Sequence, residues 1–119
     1  MFNFEKLDVW HKAIALADVI YGNTRAFPAD ERFGLTNQMR RSVVSVSSNI
    51  AEGSPRNSKA DFSRFIEIST GSVFELVSQS YIARNQGFLR ENEFEKIYTN
   101  GDEIDRMLSG LRNSPVDTR

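Results

Sequence analysis

Few side chains in this sequence have the types and the spacing that chemistry demands. Glu75 is the leading carboxylate. It flanks a helical stripe with Ser72 on one side and Gln79 on the other, and partial burial there would raise its pKa unless a cation compensates. A general acid ordinarily works with a second titratable group or a metal, and the other carboxylate on this face, Glu67, lies about two turns away. A structural ion pair is therefore the expectation for Glu75. His11 is the single histidine. It lies one turn from Asp8, so an Asp-His pair is within reach at the start of a helix. Alone it makes neither a triad nor a metal centre, because metal sites want three or four ligands, and a solvent-facing ring is expected. The chain has no cysteine, which removes thiol nucleophiles, thiolate metal sites and disulfides together. The serines sit in no Gly-x-Ser-x-Gly elbow and have no base at hand. No catalytic, cofactor or metal residue is assigned.

Charge is a better lead. The chain carries 15 Lys and Arg against 16 Asp and Glu, a net charge of −1, so an anionic partner would have to be held by uneven distribution. The distribution is uneven. From Arg32 to Lys59, Arg32, Arg40, Arg41, Arg56 and Lys59 face only Glu52, a balance of +4, whereas residues 91–111 sum to −4. Arginine forks match phosphate oxygens, so Arg40, Arg41, Arg56 and Lys59 are the candidate phosphate- or partner-binding residues. The competing expectation is neutralisation, Arg41 meeting Glu75 or the acidic last helix, as short charge runs usually form paired faces. Asn49 and Glu52 are polar residues in a stretch of small and apolar ones. They are expected to close the Gly53-Ser54-Pro55 turn by bonding its backbone amides, the alternative being a polar ligand pocket with Arg56.

These residues are positioned by helices. Val9, Ala13, Leu16, Ile20 and, beside them, Trp10, Ile14, Ala17, Tyr21 form two stripes of helical period over Leu7 to Thr24. Leu35, Met39, Val43, Val46 and Ile50 make a second helix, Thr36 to Glu52, stopped by Gly53 and Pro55. Ser58 to Asp61 resembles a capping box opening a third helix to Asn85, with Gly87 placed to end it in the left-handed conformation. Phe94, Ile97, Gly101, Ile104, Leu108 and Leu111 are a heptad seam in a fourth, Asn92 to Leu111. Short connections between four amphipathic segments predict an all-α fold, an antiparallel up-down-up-down four-helix bundle over residues 1–112, with 113–119 a flexible C-terminal tail. The predicted core is Trp10, Ile14, Met39, Val43, Val46, Ile50, Phe62, Phe65, Leu76, Ile97, Ile104 and Leu108. Repeated serines in helices two and three, poor helix formers, predict a close approach of those two helices.

Phe4-x-x-Leu7-x-Val9-Trp10, Phe27-Pro28-x-x-Glu31-x-x-Gly34-Leu35-Thr36-x-Gln38, Arg40-Arg41-Ser42, Ser48-Asn49-Ile50-Ala51-Glu52-Gly53 and Gly71-Ser72-x-x-Glu75-Leu76 together resemble the four-helix-bundle proteins encoded in 23S rRNA intervening sequences. The resemblance runs to about Leu111. It implies an antiparallel bundle that assembles into five-membered rings and has no established enzymatic activity. A more distant resemblance, to the accessory variability determinant of diversity-generating retroelements, implies nucleic-acid binding and a reverse-transcriptase partner, although this chain is mildly acidic where that protein is basic.

Two functions compete. One is a non-enzymatic homo-oligomeric interaction module, a pentamer by the resemblance, motivated by Val44, Ile68, Phe74 and Val77 lying off the main seams and needing cover. The other is an RNA- or DNA-binding accessory protein that displays the Arg40-Arg41 and Arg56-Lys59 ends on one rim and partners RNA or a nucleic-acid enzyme. No cofactor is called for. The amino terminus lacks a basic, then apolar, leader and no apolar run is long enough for a membrane span, so a cytoplasmic location without membrane contact is expected.

Overall fold

A computed structural model describes residues 1–114; residues 115–119, most of the predicted tail, lie outside the described part. Helices α1 (Asp8–Thr24), α2 (Leu35–Gly53), α3 (Lys59–Asn85) and α4 (Glu91–Arg112) account for most of it, with short 3-10 turns at Asn3–Lys6 and Ala29–Glu31. Every helix boundary falls within one residue of the expected position, and no strand occurs among the described residues.

Local chemistry explains those boundaries. Ser58 Oγ accepts from the Asp61 backbone N–H at 3.0 Å and starts α3. Gly87, at φ 81°, ends it, with the Phe88 N–H donating back to the Ala83 carbonyl at 2.8 Å. At the start of α2, Glu31 Oε1 accepts from the Leu35 N–H at 3.1 Å. Gly34 leaves room for this cap, since a Cβ there would stand 3.0 Å from the same oxygen. Asn113 caps α4, and Ser114 Oγ donates to the Leu111 carbonyl at 2.7 Å.

The helices pack in the cyclic order α1, α2, α3, α4, each against its two neighbours. Paired residues set their directions. Between α2 and α3, Ser42 meets Gln79, Ser45 meets Ser72, Val46 meets Ser69 and Gly53 meets Phe65, so one number rises as the other falls. Between α3 and α4, Arg84 meets Glu91, Tyr81 meets Phe94, Val77 meets Gly101 and Glu67 meets Arg112 in the same descending way. Both pairs are antiparallel. The 45 Å long axis of the molecule follows the helices.

The serines do what their size predicted. Ser69 Oγ, fully buried, donates to the Val46 carbonyl at 2.8 Å, and Ser45 and Ser72 hydroxyls lie 2.8 Å apart. These polar contacts let α2 and α3 approach closely without burying an unsatisfied group. Leu16, Ile20, Met39, Val43, Val46, Ile50, Ile66, Leu76, Ile97, Ile104 and Leu108 fill the centre.

Three expected core residues need correction. Ile14 is 37% exposed, and Trp10 and Phe65 are half-buried. In α1 the stripe through Val9, Ala13, Leu16 and Ile20 takes the core, which turns the neighbouring Trp10-Ile14-Ala17-Tyr21 stripe onto the flank beside α2. Trp10 is covered there by Phe4 of the amino-terminal turn, ring centroids 4.7 Å apart. In α3 the adjacent Ile66 points inward, and Phe65 packs instead against Gly53 at the edge.

Candidate functional site

The four candidate cations do not share a rim. Arg40 lies near the start of α2, while Arg56 follows its end, and the thirteen residues from Arg40 to that end at Gly53 span about 20 Å at helical rise. Because α2 runs along the bundle axis, Arg40 and Arg41 belong to one half of the molecule, and Arg56 and Lys59 to the opposite end. The single basic rim expected from the charge run is thereby corrected to two separate basic regions.

Nor are the four equivalent. Arg40 is half-buried and committed to α1: its Nε donates to Thr24 Oγ1 at 3.0 Å and its guanidinium lies 4.6 Å from the Tyr21 ring centroid. Thr24 Oγ1 in turn donates to the Ile20 carbonyl at 2.7 Å, which fixes the acceptor that Arg40 uses. Arg56 stacks 4.9 Å from the Phe65 centroid and donates from Nε to the Glu52 carbonyl at 3.2 Å. Arg41 and Lys59 are exposed. The ion pairs of the described residues join Lys12 to Glu103, Arg84 to Glu91, Arg106 to Asp102 and Arg112 to Glu67. None takes Arg41, so among the described residues its expected neutralisation by Glu75 or α4 does not occur.

The polar candidates have other partners than expected. Glu75 is exposed rather than partly buried, and its Oε1 accepts from Ser42 Oγ at 2.8 Å in place of an ion pair. Asn49 turns away from the Gly53-Ser54-Pro55 turn: its Nδ2 donates to the Ser45 carbonyl at 2.8 Å and to Ser45 Oγ at 3.0 Å. The turn is closed by backbone and by Ser54, whose N–H bonds the Ile50 carbonyl at 3.0 Å and whose Oγ donates to the Ala51 carbonyl at 2.9 Å. Glu52 is exposed, and its carbonyl accepts from Arg56 Nε. Glu75 thus joins the flanks of α2 and α3, whereas Asn49 bonds within α2. His11 is exposed as expected, but its Nε2 sits 2.7 Å from the Glu5 carbonyl and not against Asp8.

Two surface grooves bear on the candidate residues. One, of about 420 Å³, runs between α3 and α4 and is lined by Phe74, Val77, Tyr81, Tyr98 and Asp105. Phe74 is 61% exposed, and Tyr81 and Tyr98 hold each other edge to face at 6.5 Å. Gly101 floors it, since a Cβ there would meet Val77 Cγ2 at 3.0 Å. The second lies on the α1–α2 flank, where Tyr21, Asn37, Arg40, Arg41 and Val44 surround a depression. Phe74, Val77 and Val44 were expected to lie outside the core; Tyr81 and Asp105 were not singled out. The signal for them is a glycine in a heptad seam, which lowers the floor between two helices and leaves the flanking aromatics as walls.

No described helix is long and apolar enough to cross a membrane, and no group of metal-ligating side chains gathers among the described residues. Comparison with curated proteins finds no match. Among solved structures, a protein of unknown function from the S23 ribosomal protein family of Bacteroides thetaiotaomicron superposes with a TM-score of 0.80 at 20% identity, covering 89% of this chain and 99% of that one. At that identity the likeness establishes the shared bundle. Residues 5–110 match the family model described as 23S rRNA-intervening sequence protein, and on that match over most of its length the chain belongs to this family.

Proposed function

We propose that this chain is a non-enzymatic interaction module that works as a homo-oligomer. The observation that carries the reading is the open α3–α4 groove, where Phe74, Val77, Tyr81 and Tyr98 present contiguous apolar surface to solvent. Surface of this kind on a small bundle marks an association site. The five-membered ring implied by the family resemblance sets the expected copy number. Light scattering at micromolar concentration tests it: the expected mass is a multiple of the 13.5 kDa chain, near five of them, and a mass of one chain would remove the reading.

A second reading, an RNA- or DNA-binding accessory protein, is favoured by the exposure of Arg41, Arg56 and Lys59. With these cations divided between two regions, it calls for a ligand that spans a bundle or contacts two copies. Fluorescence anisotropy with RNA at low salt, for the wild type beside an Arg41→Ala/Arg56→Ala variant, separates it from the first. Phosphate contacts predict binding that weakens steeply with salt and is lost in the variant; equal or absent binding leaves the interaction module.

A further inference from the structure

We propose that the depression on the α1–α2 flank is a binding site for the terminal phosphate of a small phosphate monoester, held between Arg40 and Arg41. The site needs neither an oligomer nor a polynucleotide, so it stands apart from both functional readings above.

The repeat of α2 assembles it. Asn37, Arg40, Arg41, Val44 and Ser45 follow the i, i+3, i+4, i+7, i+8 spacing of one helical face, and all line the same depression of about 470 Å³, which Tyr21 of α1 closes on the other side. That volume is ordinary for a small-molecule site. Charge sets the class of ligand. The lining holds two guanidinium groups and no carboxylate, and neither arginine forms an ion pair among the described residues. Glu75 bonds Ser42 on the α2–α3 side and does not line the depression. Two adjacent cations without a counter-charge create a positive local potential that draws in an anion.

Arg40 supplies the geometry. Its Nε donates to Thr24 Oγ1 at 3.0 Å and its guanidinium lies 4.6 Å from the Tyr21 centroid, so the plane of the fork is set before any ligand arrives. The remaining donors, on the terminal nitrogens, bond nothing among the described residues. A fork fixed in this way loses little side-chain freedom on binding, which raises affinity. Arg41, exposed and about 100° further round the helix, is the second and mobile jaw. Asn37, one turn before Arg41, adds a neutral amide donor that is exposed. A terminal phosphoryl group carries about −1.5 to −2 charge at neutral pH and three acceptor oxygens, which suits two forks. Each phosphate of a polynucleotide has one negative charge and fewer free oxygens.

The test titrates methyl phosphate into the full chain at fixed ionic strength, with dimethyl phosphate as the diester control. Calorimetry gives the affinity, and NMR follows the side-chain N–H signals of Asn37 and the arginines. The expected result is one methyl phosphate per chain, with shifts at Asn37 and at Arg40 Nε–H. Dimethyl phosphate should bind more weakly by about tenfold or more, the worth of a hydrogen bond to a charged group. Arg41→Ala, and Arg40→Lys, which keeps the charge and loses the fork, should each weaken methyl phosphate by a similar factor of about ten. Arg56→Ala, at the opposite end of the bundle, should bind as the wild type does. Circular dichroism checks helix content, and exposed Arg41 decides the matter alone if Arg40→Lys does not fold. Absence of saturable binding overturns the site, as does an equal loss in Arg56→Ala, which would indicate diffuse attraction to positive charge. Equal affinity for the two esters overturns the terminal phosphate as ligand, and a folded Arg40→Lys with wild-type affinity overturns the fork. A chain that binds RNA but not methyl phosphate overturns this site and leaves the nucleic-acid reading standing; a monomeric chain that binds methyl phosphate upholds the site and removes the homo-oligomer.

Discussion

Replacing Gly53 by alanine should separate α2 from α3 at the end where Gly53 lies against Phe65. An ideal Cβ on Gly53 would stand 2.7 Å from the Cβ of Phe65 and 3.4 Å from its Cγ. Carbon atoms rest about 3.5–4.0 Å apart, so roughly 1 Å of space is missing. Phe65 cannot supply it by rotating, because its Cβ is fixed to the backbone of α3. The helices must move, and with them the serine contacts further along the interface. Overpacking of this kind costs about 1–3 kcal/mol. The helix propensity of alanine over glycine offsets less than about 1 kcal/mol, as Gly53 is the last residue of α2. A net loss of about 1–2 kcal/mol remains. With an unfolding entropy of about 2.1 cal/mol/K per residue over 119 residues, each kcal/mol shifts the midpoint by about 4 °C, so the melting temperature should fall by about 4–8 °C. The internal control is Gly22→Ala, an exposed helical glycine with nothing within 4 Å of its built Cβ. It should gain about 0.5–1 kcal/mol and melt about 2–4 °C higher. Thermal melts of both variants followed by circular dichroism at one protomer concentration decide the matter, since assembly makes the midpoint concentration-dependent. A Gly53→Ala protein that melts at or above the wild-type temperature would refute the close approach.

Leu108, fully buried, should cost about 2–5 kcal/mol on replacement by alanine, whereas half-buried Phe65 should cost less despite its larger side chain; urea melts of the two variants give the ranking, and a larger loss at Phe65 would place it in the core after all. Ser58→Ala removes the side-chain cap from α3 and should cost about 0.5–2 kcal/mol. Hydrogen exchange confined to the first turn of α3 should rise with it, and an unchanged midpoint and exchange pattern would show that the Asp61 amide does not depend on that hydroxyl.

Helices, their ends and most of the core were legible because each rests on short-range chemistry. The Leu35-Met39-Val43-Val46-Ile50 repeat allows one buried face, and Ser58 and Gly87 are residue types with a stated reason to stand at helix ends. Helix α1 was harder. Its two stripes are equally apolar, and only the tertiary arrangement decides between them: Phe4 lies over Trp10, which satisfies the second stripe at its start and leaves Ile14 and Tyr21 outside. In α3 the choice between Phe65 and Ile66 was likewise settled by a neighbour, the bare backbone of Gly53.

The charged residues show a different failure. A net charge counted along the chain treats Arg40 and Arg56 as near neighbours, but α2 converts the thirteen residues from Arg40 to its end at Gly53 into about 20 Å of separation. Arg40 looks like the twin of Arg41, but one residue is about 100° of helical rotation, enough to send Arg40 to Thr24 and Tyr21 while Arg41 faces solvent. Function in such a bundle is therefore carried less by which charges occur than by the angle and height at which each helix presents them.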